Sequence, residues 1–436
     1  MRILVYPHTM ELGGSQLNAI QLAAAVRDRG HEVIVLSEPG PLVERVRAMG
    51  LEHIEISAHR RRPSPGVMGT LARLVRDRGV EVVHGYEWPP ILEAFYGLRS
   101  RRGIAVVGTI MSMSVAPFVP RTVPLIVGTE RIREAALAAG HRRVTLLEPP
   151  VDTEADHPSI GGGEFRARHG IGAGEVVAMM VCRLVPDLKL EGLLTACDAA
   201  GELARAGYKL RLVIVGDGPA RNAVAERAAQ TNATVGRQVV VLAGALDDPR
   251  PAYAGADITI GQGGSALRGM AFAKPLIVVG ERGFSELLTP ETAPTFLRQG
   301  WYGLGAGSLG HGADGLRAAL MRLLEAPELR QALGCFARQL VLDRFSLRQA
   351  ARLQEAEYLA AIEQRVAPVA TMADAARSGA GLVAMKLRSK YRRWRGTGVT
   401  DDSNGLAVVA KVLAVGMMPR REGSAARRRA ERGISN

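Results

Sequence analysis

A guanidinium and an ammonium stand close together near the middle of the chain, at Arg183 and Lys189. The apolar residues 178–181 before them predict a buried strand, and the spacing from Leu193 onward predicts a helix. The two cations therefore lie in a loop at the carboxyl end of a strand, where open α/β sheets bind ligands. An arginine fork and a compact lysine charge at that place suit a diphosphate.

Glycines recur where other predicted strands end. Gly13 and Gly14 follow the first strand and precede a helix, whose N–H groups and dipole attract anions. An ordinary tight turn is the alternative for this pair. Gly216, Gly218 and Gly244 end two later strands on the same edge as the cations, where main-chain groups can contact a nucleotide base. These glycines are candidate positions for binding a nucleotide.

A further glycine-rich loop opens the helix that follows the strand 258–260. Gly263 and Gly264 are candidates for cradling a phosphate, and Ser265 is a candidate N-cap. Arg268 stands one turn into the helix, within reach of an anion. The alternative for Arg268 is a solvated helix charge.

Three acidic or imidazole side chains complete the candidate site. Glu281 and Glu286 follow the next strand and suit hydrogen bonds from ribose or sugar hydroxyls, with exposed carboxylates as the alternative. His84 ends a strand and is the best-placed histidine for catalysis, with Glu87 three residues on to orient it. A structural histidine is the alternative.

The elements that must position these residues alternate between strands and helices. The first half begins with a strand at 3–6, a helix at 17–28 and a strand at 31–36. A segment rich in proline and glycine follows at 148–163, and the alternation then restarts at residue 176. The pattern predicts an α/β protein with two Rossmann-like, doubly wound parallel-sheet domains that face each other across a cleft.

The predicted domains cover residues 1–155 and 160–345. A helix over residues 346–366 is predicted to pack back toward the first domain, and residues 367–436 are predicted to be a basic, flexible tail. No stretch approaches the roughly 20 apolar residues that a membrane span needs. The three cysteines form neither a disulfide framework nor a metal-binding pattern, which indicates a reducing, cytoplasmic location.

The net charge of +13 is unevenly distributed. Residues 367–436 contain fourteen Lys and Arg against five Asp and Glu, so the high pI is no sign that the body of the protein binds nucleic acid. Six cations surround Tyr391 and Trp394: Lys386, Arg388, Lys390, Arg392, Arg393 and Arg395. This mixture suits peripheral contact with an anionic membrane, and a solvated, partly helical extension is the alternative.

Taken together, these segments resemble the glycosyltransferases of the GT-B fold, and specifically glycosyltransferase family 4. The resemblance covers roughly residues 1–365. It rests on the order and spacing of motifs at 13–16, 127–133, 151–153, 183–192, 215–219, 256–257 and 270–275.

The resemblance implies transfer of a sugar from a nucleotide-diphosphate donor to an acceptor hydroxyl, with retention at the anomeric carbon and without a metal or other cofactor. It implies that Arg183 and Lys189 bind the donor diphosphate, with Gly14 close to it. Fixed cations at that place stabilise the charge that develops on the leaving diphosphate. The donor would bind mostly the second domain, and the acceptor, a glycan, a lipid-linked molecule or a small molecule, mostly the first.

The sequence departs from the family pattern at three positions. Ile260 and Arg268 stand where the family has two glutamates, and Met111 stands where it has a histidine. The departures leave two alternatives open: a nucleotide-sugar epimerase on the same scaffold, and a non-catalytic binding protein. The nucleotide, the sugar and the acceptor do not follow from the sequence.

Overall fold

In a computed structural model of the 436-residue chain, which describes residues 1–99, 103–364 and 368–394, two α/β domains follow one another. The first contains a seven-stranded parallel sheet in the order β3-β2-β1-β4-β5-β6-β7. Its elements are β1 (Arg2–Tyr6), α1 (Gly14–Arg27), β2 (Glu32–Ser37), α2 (Val43–Ala48), β3 (Glu52–Glu55), α3 (Pro65–Arg78), β4 (Val82–Tyr86), α4 (Trp88–Leu98), β5 (Ala105–Ile110), β6 (Leu125–Val127), α5 (Glu130–Ala138) and β7 (Val144–Leu146).

The second domain contains a six-stranded sheet in the order β10-β9-β8-β11-β12-β13. Its elements are α6 (Gly163–Arg168), β8 (Val176–Val181), α7 (Leu190–Arg205), β9 (Leu210–Val215), α8 (Arg221–Val235), β10 (Val240–Gly244), α9 (Arg250–Gly255), β11 (Ile258–Gly261), α10 (Gly264–Ala271), β12 (Leu276–Val279), β13 (Ser285–Leu287), α11 (Ala293–Gln299), α12 (Gly312–Glu325) and α13 (Pro327–Arg344). The predicted architecture of two parallel-sheet domains is confirmed. The edge strand β13 is the exception, because it pairs antiparallel with β12.

Buried aliphatic side chains make both sheets suitable for coverage by helices on two faces. Strand β1 buries Ile3, Leu4 and Val5, each with at most 1 % of its surface exposed. Strand β9 buries its apolar residues in the same way. Such nearly continuous apolar strands are typical of parallel sheets that lie between two helical layers.

After α13 the chain returns to the first domain through α14 (Leu347–Glu363). The hydroxyl of Ser346 caps this helix by accepting a hydrogen bond from the Gln349 amide. Ala350, Ala351 and Tyr358 are buried in the same core cluster as α1 and the first sheet. The second domain is therefore tied to the first by a helix that follows it in sequence.

The composition predicts a flexible tail from residue 367, but residues 368–394 form a further helix, α15 (Pro368–Trp394). Its first half is anchored to the loop before β6. Asp374 accepts hydrogen bonds from the amide and hydroxyl of Thr122, and Ser378 donates to the Phe118 carbonyl. Composition does not reveal hydrogen bonds between these side chains and a loop that is distant in sequence, which explains why the sequence predicted a flexible segment where the structure has a helix. The remainder of the predicted tail lies outside the described residues.

Across the described ranges, no helix combines the length and the hydropathy that crossing a bilayer requires.

Candidate active site

The strand orders create two crevices, one in each domain. In the first sheet, successive strands are added on one side of β1 up to β3 and on the other side from β4 onward, so the strand order reverses between β1 and β4. In the second sheet the strand order reverses in the same way between β8 and β11. Ligands of open α/β sheets bind at the carboxyl ends of the strands next to such a reversal. The loop with Gly13 and Gly14 follows β1, and the loop with Arg183 and Lys189 follows β8. The predicted phosphate-binding elements therefore occupy the two switch points.

The two loops meet across the cleft. The guanidinium Nη1 of Arg183 donates a hydrogen bond of 3.3 Å to the carbonyl oxygen of Leu12, directly before Gly13. Helix α1 then begins at Gly14, with no side-chain cap and no acidic residue in its first turn. A Cβ added to Gly14 would meet no atom within 4 Å, so open space lies beside this helix start. The arrangement leaves room for an anion between the helix N-terminus and the arginine.

Lys189 is the residue that precedes α7, and it is half-buried beside the same loop. The pKa of its ammonium is lowered to about 8, mainly by burial and also by the nearby Arg183, while Cys182 opposes the shift. Among the described residues, neither Arg183 nor Lys189 forms an ion pair with a carboxylate. Two uncompensated cations close to each other are unfavourable in the empty site and favour an anionic ligand.

The glycines after β9 hold the backbone of the cationic loop. A Cβ on Gly216 would lie 1.8 Å from the carbonyl oxygen of Cys182, and one on Gly218 would lie 2.3 Å from that of Leu184. The amide of Gly216 donates to the Gly244 carbonyl, and the amide of Gly218 donates to the side chain of Asp217. These amides are occupied within the protein, which gives Gly216 and Gly218 a supporting position, and their predicted contact with a base stays a prediction.

Glu281 supports the same loop from the other side. One carboxylate oxygen accepts from the Leu188 amide at 3.2 Å, and the other accepts from the Tyr302 hydroxyl at 2.6 Å. Gln262 donates from its side-chain amide to the Leu188 carbonyl. Leu188 has a φ of 65°, a strained value for a residue with a side chain. The sequence missed Gln262, because a glutamine among glycines carries no pattern that indicates its partner.

Arg268 does not point an unpaired charge at the cleft. Its Nε and Nη2 atoms donate to the two carboxylate oxygens of Asp156, at 2.8 and 2.9 Å. The Asp156 side chain is 5 % exposed, so the carboxylate that neutralises Arg268 is largely removed from water. The predicted grip on a phosphate is therefore corrected: this guanidinium is neutralised by a carboxylate from the linker between the domains.

In the loop before Arg268, the two glycines are open to a ligand, but Ser265 is not the N-cap of the helix. The N-cap position of α10 is Gly263, with a φ of 56°, and open space surrounds both Gly263 and Gly264. The Ser265 hydroxyl donates to the Gln262 carbonyl, within the turn, and does not cap the helix. The glycines remain candidates for contact with a ligand, whereas the N-cap assignment of Ser265 is wrong.

Glu286 lies in the edge strand β13, away from the cationic loop's contacts. Its two carboxylate oxygens accept hydrogen bonds from the amide and the hydroxyl of Ser308, at 2.7 and 2.6 Å. The structure thus pairs Glu286 with the loop before α12 and does not bring it to Arg183 or Lys189. Its predicted contact with a sugar hydroxyl stays a prediction.

His84 lies in the core, which corrects its assignment as a catalytic residue. The side chain is fully buried, and its ring nitrogens lie 2.7 Å from the hydroxyls of Tyr358 and Thr109. Both partners are buried in the elements that pack around β4, Thr109 in β5 and Tyr358 in α14. The sequence could not distinguish the two faces of β4, because the strand is apolar throughout apart from this residue.

The position of His84 predicts acid sensitivity of the fold. Burial lowers its pKa to about 3, whereas an unfolded histidine titrates near 6.5. The unfolded chain therefore binds a proton that the folded chain refuses, and stability falls as the pH drops from 6.5 toward 3. The expected slope is about 1.4 kcal/mol per pH unit for this residue.

Urea unfolding at pH 7, 6 and 5 tests this expectation against the variant His84→Gln. The variant is expected to show a smaller loss of unfolding free energy on acidification, with the contribution of His141 retained. An unchanged slope, combined with lost turnover at pH 7, would instead favour the catalytic assignment.

Glu87, three residues after His84, is a buried carboxylate that joins the start of α1 to the loop after β5. It is 6 % exposed, and one of its carboxylate oxygens accepts from the amides of Met111 and Ser112 at 3.0 and 3.1 Å. The same oxygen lies 3.3 Å from the Ser15 hydroxyl, in the first turn of α1. Glu87 thus links the start of α1 to the loop after β5. The prediction that it orients His84 is not met, because the ring nitrogens of His84 lie beside Tyr358 and Thr109 instead. Met111 contributes its backbone here, where the family pattern has an imidazole.

Two family models match the chain, one in each domain. Residues 12–155 match a model described as Glycosyltransferase Family 4, and residues 175–303 match one described as Glycosyl transferases group 1. The first match begins at the loop that Arg183 contacts, and the second contains the cationic loop itself. No curated protein matches the chain closely.

Solved structures share the two-domain arrangement. A glycosyltransferase from Rickettsia africae ESF-5 has a TM-score of 0.67 and 16 % identity, with 84 % of this chain and 99 % of that chain covered. Anabaena Alr3699/HepE, solved in complex with UDP, has a TM-score of 0.65 and 16 % identity, with coverage of 83 % and 100 %. At these identities the likeness concerns the fold.

A third structure is the catalytic domain of starch synthase IV from Arabidopsis thaliana, bound to ADP and acarbose. Its TM-score is 0.58 at 13 % identity, and 84 % of this chain and 100 % of that chain are covered. The family follows from the two family models, which lie in order on the two domains and together cover residues 12–155 and 175–303. The chain belongs to the GT-B glycosyltransferases of the family 4 type.

Proposed function

We propose that this glycosyltransferase takes the sugar from a uridine-diphosphate donor and transfers it, with retention and without a metal, to an acceptor hydroxyl. The observation that carries the proposal is the contact of Arg183 with the Leu12 carbonyl. This contact brings a guanidinium, with a neighbouring ammonium, next to the start of α1, which supports an anion-binding site between the domains. Anabaena Alr3699/HepE, a structural neighbour, has been solved with UDP and with UDP-glucose, which supports the choice of nucleotide.

The cations supply the charge stabilisation that the reaction requires. Cleavage of the bond to the sugar leaves negative charge on the diphosphate, and fixed positive groups stabilise that charge without reorganisation. At pH 7 most Lys189 side chains carry their proton, because the pKa of about 8 lies above that pH. A bound diphosphate favours the charged lysine and raises its pKa again.

Arg183 and Lys189 take the place that a divalent cation occupies beside the diphosphate in metal-dependent transferases. Within residues 1–99, 103–364 and 368–394, no three or more His, Cys, Asp or Glu side chains are grouped as a metal site. The proposal therefore assigns charge neutralisation to the protein's own side chains. Insensitivity of turnover to a chelator is the result expected from this assignment.

The donor test is a comparison of nucleotides. UDP is expected to raise the melting temperature of the full chain more than GDP, dTDP or ADP do, since a ligand that binds only the folded state stabilises it. UDP-glucose with a panel of acceptors is then expected to release UDP in the presence of EDTA, and NMR of the product is expected to show the anomeric configuration of the donor. Inversion, or a requirement for metal, would contradict the proposal.

The same experiment separates the two rival functions. An epimerase would convert the sugar of the donor with no acceptor present, and a binding protein would be stabilised by the nucleotide without any turnover. The acceptor, a cytoplasmic location and contact of the basic C-terminal segment with a membrane stay predictions.

A further inference from the structure

The outward side of α15 carries a row of apolar side chains that are exposed to solvent. Six large hydrophobic residues of this helix are at least half exposed: Val369, Met372, Val383, Leu387, Tyr391 and Trp394. Their spacings of three, four and eleven residues place them along one side of a helix. We call this row the outer stripe of α15.

The outer stripe lies opposite the side that holds the helix on the first domain. Ala375, Ser378 and Leu382 are buried, and Leu382 shares a small core cluster with Leu92 and Phe118. The packing of α15 on its own domain is therefore complete without the stripe. A helix that is apolar on two opposite sides needs a second partner for the side that the domain does not cover.

Positive charge flanks the outer stripe. Lys386, Arg388 and Lys390 are exposed in the same three turns as Val383, Leu387 and Tyr391. The only acidic residue of α15 is Asp374, which is buried and paired with Arg377. The twenty residues 375–394 that follow Asp374 contain no carboxylate side chain. Their net positive charge repels a second copy of the helix.

The end of the stripe is aromatic. The rings of Tyr391 and Trp394 lie 6.1 Å apart, and Trp394 is 81 % exposed. Tyrosine and tryptophan are enriched where an apolar interior meets water, since each ring joins an apolar body to a polar group. Apolar side chains, flanking cations and interfacial aromatics together match a helix that lies in the plane of an anionic lipid surface.

We propose that the outer stripe of α15 docks on anionic phospholipid membranes, with its apolar side chains among the acyl chains and its cations at the headgroups. The Lys386 ammonium also donates to the Arg62 carbonyl at 3.0 Å, which fixes this end of the helix beside the loop before α3. Docking therefore holds the first domain against the membrane. If the proposed function is right, this is the domain that binds the acceptor. The docking itself depends on α15 and not on the donor.

Vesicle co-sedimentation of the full chain tests the proposal. We expect binding to vesicles with one-third phosphatidylglycerol in phosphatidylcholine, weaker binding at high salt, and little binding to phosphatidylcholine alone. The variant Val383→Glu/Leu387→Glu/Trp394→Glu is expected to bind the anionic vesicles about tenfold more weakly or worse. The control Leu359→Glu alters a leucine that is 48 % exposed on α14 and is expected to bind normally.

Three results would overturn the proposal. The first is failure of the full chain to sediment with anionic vesicles. This result counts against the proposal even if a chain that ends after Trp394 does sediment, because residues 395–436 would then cover the stripe. The second is equal sedimentation of the triple variant while its circular dichroism and melting temperature are unchanged. The third is a concentration-dependent dimer that the triple variant abolishes, which would make a second copy the partner. A UDP-induced rise in melting temperature, measured in parallel, reports on the proposed function independently.

Discussion

Replacement of Lys189 by alanine is expected to abolish sugar transfer and to weaken UDP binding by about 100-fold or more, with little loss of stability. The lysine is half-buried, faces no carboxylate among the described residues and stands beside Arg183. A charge-assisted bond to a ligand in such a place contributes about 2–4 kcal/mol. Without a bound anion, the ammonium of Lys189 is repelled by the guanidinium of Arg183. Its removal is therefore not expected to destabilise the fold. Arg183→Ala is expected to act in the same direction.

Calorimetric titration of UDP provides the measurement, and Arg205→Ala provides a matched control. Arg205 lies in the last turn of α7, the helix that Lys189 precedes, and is exposed at its opposite end. The control removes the same formal charge at the opposite end of α7 and is expected to leave the UDP affinity unchanged. Equal loss in both variants would indicate a general effect of charge. Unchanged affinity in Lys189→Ala would remove the central assignment.

The pH dependence of affinity distinguishes a direct role of Lys189 from a structural one. The free side chain loses its proton as the pH rises through about 8, so UDP affinity is expected to be about tenfold lower at pH 9 than at pH 7. The diphosphate itself is already mostly ionised at pH 7, since the last proton of a terminal phosphate has a pKa of about 6, so its own titration does not lower the affinity above pH 7. In Lys189→Arg the guanidinium stays protonated, and the affinity is expected to be nearly constant. A pH dependence that persists in this variant would contradict the assignment.

The sequence predicted the sheets and the cationic loop because those features are local. A buried strand, a loop with Arg183 and Lys189 and a helix follow one another along the chain, and the rule for carboxyl ends of parallel strands then places the loop. The glycine turns are local as well. The sequence shows that the glycines are present, but it does not show which neighbouring atoms a Cβ at those positions would meet.

The errors concern contacts between residues that are distant in sequence. Arg268 pairs with Asp156, 112 residues away, and His84 bonds Tyr358, 274 residues away. No periodicity or spacing indicates such partners, so a paired guanidinium and a core histidine resembled candidate site residues. The docking of α15 depends likewise on the carbonyls of a loop about 260 residues earlier. Local pattern therefore located the strand ends but could not show which side chains are already occupied.

Replacement of Gly216 by alanine is expected to lower the free energy of unfolding by about 3 kcal/mol and to weaken UDP binding at the same time. The residue has a φ of 142°, and an added Cβ would lie 1.8 Å from the carbonyl oxygen of Cys182. Backbone strain and forced repacking each cost about 1–3 kcal/mol. Because Cys182 precedes Arg183, any shift that relieves the clash moves the start of the cationic loop.

Gly236→Ala separates the two components of this effect. Gly236 also has a positive φ, 75°, but open space surrounds its Cβ position at the end of α8. Its replacement is expected to cost about 1 kcal/mol from conformation alone and to leave UDP affinity unchanged. Urea unfolding and calorimetry on both variants provide the comparison. If Gly216→Ala lost no more than Gly236→Ala in both measurements, the turn after β9 would not be what holds Arg183 toward Leu12, and the cationic loop would owe its position to Glu281 and Gln262 instead.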